Sequence, residues 1–294
     1  MKKLFPILII LAILFLIVSF FIPAEQARTL SVQNTIQNTV AALHHPSRWR
    51  SLDSGKNTRI TELGYMVYAI TEPKDNGDST GFSMAITPDL SPNHNPNIAA
   101  ISYFHSTSLF YKLFPFLEKI TFDARTVREL RSYLEDNTRF YGYPITTQKL
   151  VDSFFLTKKQ DLLSRDLFRT LPSMFKELED YARTNSCHVI AQNISFFPLG
   201  HDSVSLMAGL NIDKSIEGDK IYNFRQLPST IGLVVGRYEG RFGLRTGIYT
   251  AIERFISDHA LAKVGLPYER YHSALPVSDS SIIKIDLIYP VTYR

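Results

Sequence analysis

A glutamate flanked by tyrosines stands near the end of the chain, within Tyr268-Glu269-Arg270-Tyr271. If this segment is a strand, alternate side chains point to opposite faces, so Glu269 and Tyr271 share one face and Arg270 lies on the other. A carboxylate among aromatic rings suits a lipophilic cation, because ring faces attract positive charge and the acid supplies the counter-charge. We therefore expect a ligand-binding pocket around Glu269.

The predicted pocket needs aromatic side chains from other parts of the chain. Besides Tyr271, the candidates are aromatic residues of the C-terminal half: Tyr222, Phe224, Tyr238, Tyr249, Tyr289 and Phe154 or Phe155. Two other interpretations stay open at this point. Glu269 next to Arg270 also fits an ion-paired residue on the surface of a strand, and a tyrosine-rich strand also fits an ordinary protein core.

No catalytic residue, metal ligand or cofactor is predicted. The chain contains no G-x-S-x-G, H-E-x-x-H, P-loop or dinucleotide-binding motif. Cys187 is the single cysteine, so no internal disulfide forms. The side chain of the adjacent His188 would point to the opposite face of a strand, which argues against a nucleophilic pair. Four further histidines have no carboxylate at metal-ligand spacing: His44, His45, His94 and His105.

A four-element pattern that would position these residues occurs twice in the C-terminal half. Strand, helix, strand and strand are predicted at residues 149–158, 161–183, 188–195 and 203–212, and again at residues 229–238, 242–262, 267–272 and 281–290. The offset of about 79 residues indicates an internal repeat. We expect an α+β fold in which two helices, related by a pseudo-two-fold axis, lie on an antiparallel sheet with a cleft between the halves.

Three motifs in the second copy carry a resemblance to a known family. They are Gly236-Arg237-Tyr238-Glu239-Gly240 before the helix, Gly265-Leu266-Pro267-Tyr268-Glu269-Arg270-Tyr271 after it, and Ile288-Tyr289-Pro290-Val291 at the end. In this order they make residues 147–294 resemble the GyrI-like domain, which is also the effector-binding half of AraC-type and multidrug-sensing transcription regulators. The resemblance implies that Glu269 contacts a cationic ligand.

The same resemblance leaves other functions open. Some GyrI-like proteins hydrolyse reactive electrophiles, so a small-molecule hydrolase with Glu269 as base or nucleophile is one alternative. A module whose cleft grips a segment of a partner protein is another.

Gly236 and Gly240 stand where the predicted strand must turn into the helix, and we expect glycine there because the turn needs backbone freedom.

Residues 28–146 form a separate predicted domain of the α+β class. A strand at 28–35 and a helix at 36–43 precede a turn with the single Trp49, and strands follow at 60–71, 81–87 and 98–106. An amphipathic helix is predicted at 123–140, with Val127, Leu130, Leu134 and Phe140 on one face. This order resembles a reduced helix-grip domain of the polyketide-cyclase/START-like (SRPBCC) superfamily. A small α+β spacer domain is the alternative.

The first 27 residues are predicted to be an uncleaved transmembrane signal anchor. Leu4 to Pro23 holds twenty residues without a charge, which as a helix would span about 30 Å, the thickness of a bilayer's hydrocarbon core. Lys2 and Lys3 before this segment place the N-terminus in the cytoplasm. We therefore expect a single-pass protein of the cell inner membrane, with the lipid bilayer contacting residues 4–23 and the remainder on the periplasmic or extracytoplasmic side.

Charge argues against a nucleic-acid partner. The chain has 32 basic and 28 acidic residues, and the first 23 residues contain two of these lysines and no acid, which leaves a net charge of only +2 for the remainder. No run of basic residues concentrates that charge. Together these features predict a membrane-anchored, extracytoplasmic, non-enzymatic protein that binds a small hydrophobic or cationic ligand in the cleft of residues 147–294.

Overall fold

The computed structural model describes residues 4–50, 58–73, 79–90, 98–114, 122–150, 154–228 and 230–293. Within it the chain divides into two compact units, Met1–Asp136 and Asn137–Arg294. Several sequence features lie outside the described residues: Lys2, Lys3, His94, and residues 151–153 and 229 of two predicted strands.

The first unit is built on a five-stranded antiparallel sheet. Its strands, in the spatial order β1-β5-β4-β3-β2, are β1 (Pro23–Thr35), β2 (Arg59–Gly64), β3 (Val67–Pro73), β4 (Ser79–Pro88) and β5 (Ile98–Ser108). Its helices are α1 (Leu4–Ser19), α2 (Ile36–Leu43), α3 (Leu109–Leu113) and α4 (Phe122–Glu135), with a 3-10 turn at Pro46–Arg48.

Local signals explain how the helices of the first unit begin and pack. The Thr35 side chain caps α2 by accepting a hydrogen bond from the Asn38 amide. After the turn, the buried Trp49 indole donates to the Ala42 carbonyl at 2.9 Å. Helix α4 buries three members of the predicted apolar stripe, Val127, Leu130 and Leu134. The order of elements agrees with the sequence prediction except at 60–71, where the single predicted strand is two paired strands, β2 and β3, because the chain turns at Met66, whose φ is 57°. Membership of the START-like superfamily stays a prediction.

The predicted transmembrane helix over residues 4–23 is not supported. In the part of the chain that the structure describes, no helix has both the length and the apolar character to cross a membrane. Helix α1 ends at Ser19, and β1 begins at Pro23 within the predicted anchor. The reason for the early end is pairing, because the Ile22 carbonyl accepts from the Leu109 amide at 2.8 Å and β1 then pairs with β5.

The second unit is a nine-stranded antiparallel sheet covered on one face by two long helices. The strands are β6 (Ile145–Lys149), β7 (Phe154–Leu163), β8 (Val189–Pro198), β9 (Ser203–Ile212), β10 (Asn223–Gln226), β11 (Gly232–Arg241), β12 (Leu261–Lys263), β13 (Tyr268–Tyr271) and β14 (Ile282–Tyr293). They lie in the order β10-β7-β9-β8-β13-β14-β11-β6, and β12 also pairs with β14. The helices are α5 (Asn137–Tyr141), α6 (Leu167–Thr184) and α7 (Thr246–Asp258).

Both copies of the predicted repeat are present, which confirms an α+β fold with an antiparallel sheet. Helices α6 and α7 begin 79 residues apart, at Leu167 and Thr246. Strands β8 and β13 also begin 79 residues apart, and these two strands pair with each other through Glu269 and Ile194. The two copies therefore meet at the centre of the sheet, where Glu269 lies.

Both long helices begin later than the sequence predicted. Residues 161–163 were expected to be helical, but they extend β7 because they pair with Ser203–Ser205 of β9. Residues 242–244 form a 3-10 helix ahead of α7, and α7 ends at Asp258 because Ala260 has a positive φ of 51° before β12. In each case a tertiary strand pairing or turn competes with the helical periodicity.

The start of the second unit also differs from the predicted domain boundary at residues 146 and 147. Strand β6 pairs with β11, and Ile145 lies opposite Gly236. The Tyr141 hydroxyl donates to Asp258 in α7 at 3.0 Å. Residues 137–146 therefore pack with the C-terminal repeat, and Phe140 lies against its core rather than on α4.

The sheet of the second unit has two different faces. One face packs against α6 through residues such as Leu171, Leu206 and Ile194, and against α7 through residues such as Ile252 and Leu287. We call this the helix face. The opposite face, which we call the open face, carries a smaller cluster of buried residues: Leu150, Phe155, Leu233, Val235, Tyr268 and Ile288.

Candidate functional site

Glu269 is the centre of the candidate site and is fully buried, with 0% exposure. Its Oε1 accepts hydrogen bonds from Arg245 Nε at 2.7 Å and from the Tyr249 hydroxyl at 2.6 Å. Its Oε2 accepts from the Tyr271 hydroxyl at 2.6 Å. A buried charge is tolerated only when it is paired and hydrogen-bonded, and all three donors meet that need here.

The three donors come from elements that converge at the centre of the helix face. Tyr271 lies two residues after Glu269 on β13, so strand alternation places both side chains on this face. Arg245 and Tyr249 are four residues apart at the start of α7, and residues at this spacing lie on one side of a helix. Glu269 thus connects β13 to the first turn of α7.

The Arg245 guanidinium lies against two aromatic rings. Its central carbon is 3.5 Å from the ring centre of Phe242 and 4.7 Å from that of Phe196. Its Nη1 also donates to the Phe242 carbonyl at 2.9 Å. The side chain is 14% exposed, so the pair is almost wholly removed from water. This environment stabilises a flat, delocalised cation through ring faces on one side and a carboxylate on the other.

The hydroxyl groups of Tyr249 and Tyr271 act as hydrogen-bond donors to Glu269. Burial first, and then the negative charge of Glu269, raise the pKa of Tyr249 and Tyr271 well above the ordinary value of 10.0. The hydroxyls therefore stay protonated at physiological pH. The buried carboxylate is balanced by one cation and two neutral donors that all belong to the protein.

Among the predicted aromatic residues, Tyr271 and Tyr249 contact Glu269 directly. Tyr289 lies behind Tyr249 with ring centres 6.5 Å apart, and its hydroxyl is 3.5 Å from Glu253 Oε1. Tyr238 packs against the cores under both helices, and its hydroxyl donates to the Arg241 carbonyl at 2.7 Å.

The remaining predicted residues lie farther from the centre of the sheet. Tyr222 stacks on Tyr181 of α6 with ring centres 4.4 Å apart. Phe224 stacks on Phe154 at 5.9 Å. Phe155 lies on the open face, where its ring meets Tyr268 at 5.6 Å. The helix-face and open-face aromatic residues thus belong to two separate environments.

Arg245, Phe242 and Phe196 are site residues that the sequence did not identify. The spacing of Arg245 and Tyr249 at the start of a helix is the local signal that points to a shared face. Nothing local connects Arg245 to Glu269, since they are 24 residues apart. The burial of Glu269 rules out the alternative of a surface strand residue.

No metal site accompanies this cluster. Across the described residues, no group of three or more His, Cys, Asp or Glu side chains is arranged to hold a metal ion. The cluster itself supplies a carboxylate, a guanidinium and two phenols.

No protein-family model and no curated protein matches the chain. Solved structures match about half of it. The C-terminal domain of EcmrR is 11% identical with a TM-score of 0.42, over 52% of this chain and 99% of that one. A hydrolase from Listeria innocua is 10% identical with a TM-score of 0.39, over 50% and 91%. SAV2435, solved bound to tetraphenylphosphonium, is 13% identical with a TM-score of 0.30, over 51% and 94%.

The similarity extends over only about half of the chain, at identities of 10–13%. It carries no conclusion on the ligand, reaction or partner of this chain, which rest on the geometry of the chain's own residues.

Proposed function

We propose that the second unit is a non-enzymatic binding module for a small lipophilic cation, which takes the place of the Arg245 guanidinium beside Glu269. One observation carries the proposal. A fully buried carboxylate is paired with a delocalised cation that lies against two aromatic rings. The same surroundings suit any flat or diffuse cation of similar size, because none of the attractive contacts depends on the arginine backbone.

Arg245 is placed to leave the site when a ligand enters. It stands at the junction of the 3-10 helix Phe242–Leu244 and α7, and its side chain is the partly exposed member of the ion pair. On leaving, the guanidinium moves into water, whereas Glu269 stays buried and needs a new cation. The ligand's charge fills that need, so exchange avoids an uncompensated buried carboxylate.

Binding rather than catalysis fits the donor arrangement around Glu269. Both carboxylate oxygens already accept hydrogen bonds, and Arg245 neutralises the charge. A hydrolase would need Glu269 directed at a water or a substrate atom. Turnover of an electrophilic ester that disappears in Glu269→Gln, while binding persists, would favour the hydrolase instead.

Calorimetric titration with benzylguanidinium tests the exchange. Benzylurea is the matched control, since it has the same shape without the charge. Arg245→Met empties the cation position and keeps an apolar stem, so it should raise the affinity for benzylguanidinium at least about tenfold, or roughly 1.4 kcal/mol. Glu269→Gln should lower wild-type affinity by at least the same factor. Neither change should alter the weak binding of benzylurea.

The outcomes separate ligand exchange from a purely structural ion pair. If a ligand replaces the Arg245 guanidinium, the double variant Arg245→Met/Glu269→Gln should lose the affinity for benzylguanidinium that Arg245→Met gains. If the pair is only structural, Arg245→Met destabilises the fold by about 3–5 kcal/mol and benzylguanidinium does not restore its thermal stability. Equal affinity for benzylguanidinium in the wild type, Glu269→Gln and Arg245→Met would refute the proposal.

We also propose that residues 4–23 hold the chain at the cell inner membrane, with residues 28–294 on the extracytoplasmic side. The uncharged N-terminal segment supports this, as do the exposed apolar side chains of α1, including Leu11, Leu14 and Phe15, each more than half exposed. Alkaline phosphatase fused after Arg294 should be active in intact cells, and the fusion should stay in the membrane pellet after carbonate extraction. Phosphatase activity confined to the cytoplasm would contradict the proposed orientation.

A further inference from the structure

We propose that the second unit has another ligand site, on the open face of the sheet, which binds a small amphipathic organic anion. A cavity of about 240 Å³ lies there, opposite α6 and α7. Its lining includes Phe155, Asn193, Ser195, Arg225, Leu227 and Tyr268. The site shares no residue with the Glu269 cluster, and its ligand has the opposite charge.

Strand alternation separates the two sites. Glu269 points to the helix face, so its neighbour Tyr268 points to the open face, where it packs with Phe155. On the adjacent strand, Ile194 belongs to the core under α6, whereas Asn193 and Ser195 on either side of it line the cavity. The central strands β8 and β13 thus contribute to a different site on each face.

An amide oxygen without a hydrogen-bond partner in the cavity lining indicates a polar ligand. Asn193 is 3% exposed, and its Nδ2 donates to Asn211 Oδ1. Within the part of the chain that the structure describes, Asn193 Oδ1 has no hydrogen-bond partner. Exchanging the amide orientations of the two asparagines only replaces the free oxygen of Asn193 by a free NH₂ group. A buried polar group without a partner is costly, and a polar ligand atom in the cavity would satisfy it.

The charge of the cavity lining favours an anionic ligand. Arg225 is the single charged side chain among the described residues that line the cavity. It lies on β10 opposite Phe155, and its side chain is exposed, so it stands at the solvent edge of the cavity. A guanidinium binds carboxylates and related planar anions through paired hydrogen bonds. We place the anionic group of the ligand at Arg225 and a second polar group at Asn193.

Apolar side chains define the rest of the ligand. The rings of Phe155 and Tyr268 meet edge to face at 5.6 Å and form one wall, and Leu227, Leu266 and Pro290 continue it. The volume is slightly below the roughly 300–1,000 Å³ of sites for drug-sized molecules. The ligand class that fits is therefore a small aryl or alkyl carboxylate rather than a large hydrophobe.

Fluorine NMR of the full-length chain with 4-(trifluoromethyl)phenylacetate tests this site. The corresponding amide, 4-(trifluoromethyl)phenylacetamide, is the neutral control. We expect saturable binding of the acid and at least tenfold weaker binding of the amide. Arg225→Gln should remove the preference for the acid, while Arg169→Gln, which changes the same charge on exposed surface of α6, should leave it unchanged. Leu266→Trp, at a half-exposed position of the lining, should block both compounds.

The two sites are distinguished by the same measurement. Glu269→Gln should leave the affinity for the acid unchanged, whether or not it affects the binding of a cation. Equal binding of acid and amide by the wild type would overturn the proposal. So would a preference for the acid that survives Arg225→Gln, or acid binding that survives Leu266→Trp.

Discussion

At the scale of single residues, the site depends on hydroxyl groups that keep their protons. Tyr271 and Tyr249 each donate to one oxygen of Glu269, and burial together with that carboxylate raises their pKa values. Ionisation of either phenol would place a second negative charge beside Glu269. The folded chain therefore keeps these two protons at pH values where the unfolded chain releases them.

This difference predicts a loss of stability in alkali. Below pH 10 both states hold the protons and the tyrosines give no pH dependence. Above about pH 10 the unfolded state alone ionises, so the free energy of unfolding falls by up to about 1.4 kcal/mol per pH unit for each tyrosine. Denaturant titrations between pH 8 and pH 11 should show a shallower alkaline decline for Tyr271→Phe than for the wild type.

The same variant has an effect at neutral pH. Tyr271→Phe leaves Oε2 of the buried Glu269 without the donor described here, which should cost about 1–3 kcal/mol at pH 7. Tyr65→Phe is the control, because Tyr65 is 87% exposed. An alkaline decline in Tyr271→Phe as steep as that of the wild type would contradict the assigned role of the hydroxyl.

At the scale of elements, Gly236 sets how closely α7 packs on β11. The sequence suggested that this glycine serves a turn, but it lies within the strand, pairs with Leu287 and has an ordinary backbone conformation. A Cβ at this position would lie 2.6 Å from Ile252 Cδ1 and 3.0 Å from Ile248 Cδ1. Glycine is therefore needed for close approach of the helix rather than for backbone freedom.

Gly236→Ala should consequently destabilise the second unit by about 1–3 kcal/mol through overpacking. Adding Ile252→Val, which removes the nearest methyl group, should recover part of the loss even though Ile→Val alone is destabilising. Gly64→Ala is the matched control, because no atom lies within 4 Å of its added Cβ. Additive effects of Gly236→Ala and Ile252→Val in thermal unfolding would rule out the proposed contact.

At the scale of the whole molecule, the beginning of the second unit determines which fragment is stable. Strand β6 closes the β11 edge of the sheet, and Tyr141 connects α5 to Asp258 of α7. Both Tyr141 and Ile145 are buried. A fragment that begins at the sequence-predicted boundary, residue 147, lacks these two side chains.

We expect fragment 137–294 to unfold in one cooperative transition and to be at least about 3 kcal/mol more stable than fragment 147–294. Burial of a large apolar side chain contributes about 1.5–3 kcal/mol, and two are lost in the shorter fragment. Urea unfolding followed by tyrosine fluorescence measures the difference. Equal midpoints and slopes for the two fragments would place the domain boundary at residue 147, within β6.

Most elements could be predicted from the sequence, since their signals are local. Helix α2 and strand β9 have both predicted ends, because apolar periodicity and flanking turns mark them. Residues 161–163 were misassigned to a helix because their pairing with β9 joins parts of the chain about 40 residues apart. Periodicity within one segment carries no information about such a partner.

The sequence by itself determined the α+β class, the repeat, and the shared face of Glu269 and Tyr271, since strand alternation and helical periodicity follow from backbone geometry within a few residues. Only the tertiary structure decided that Arg245 is the counter-ion of Glu269. It alone also decided that Phe155 and Tyr268 face a separate cavity with Asn193 and Arg225. Both depend on which strands become neighbours and on how closely the helices pack against them, and these contacts form between segments distant in the chain.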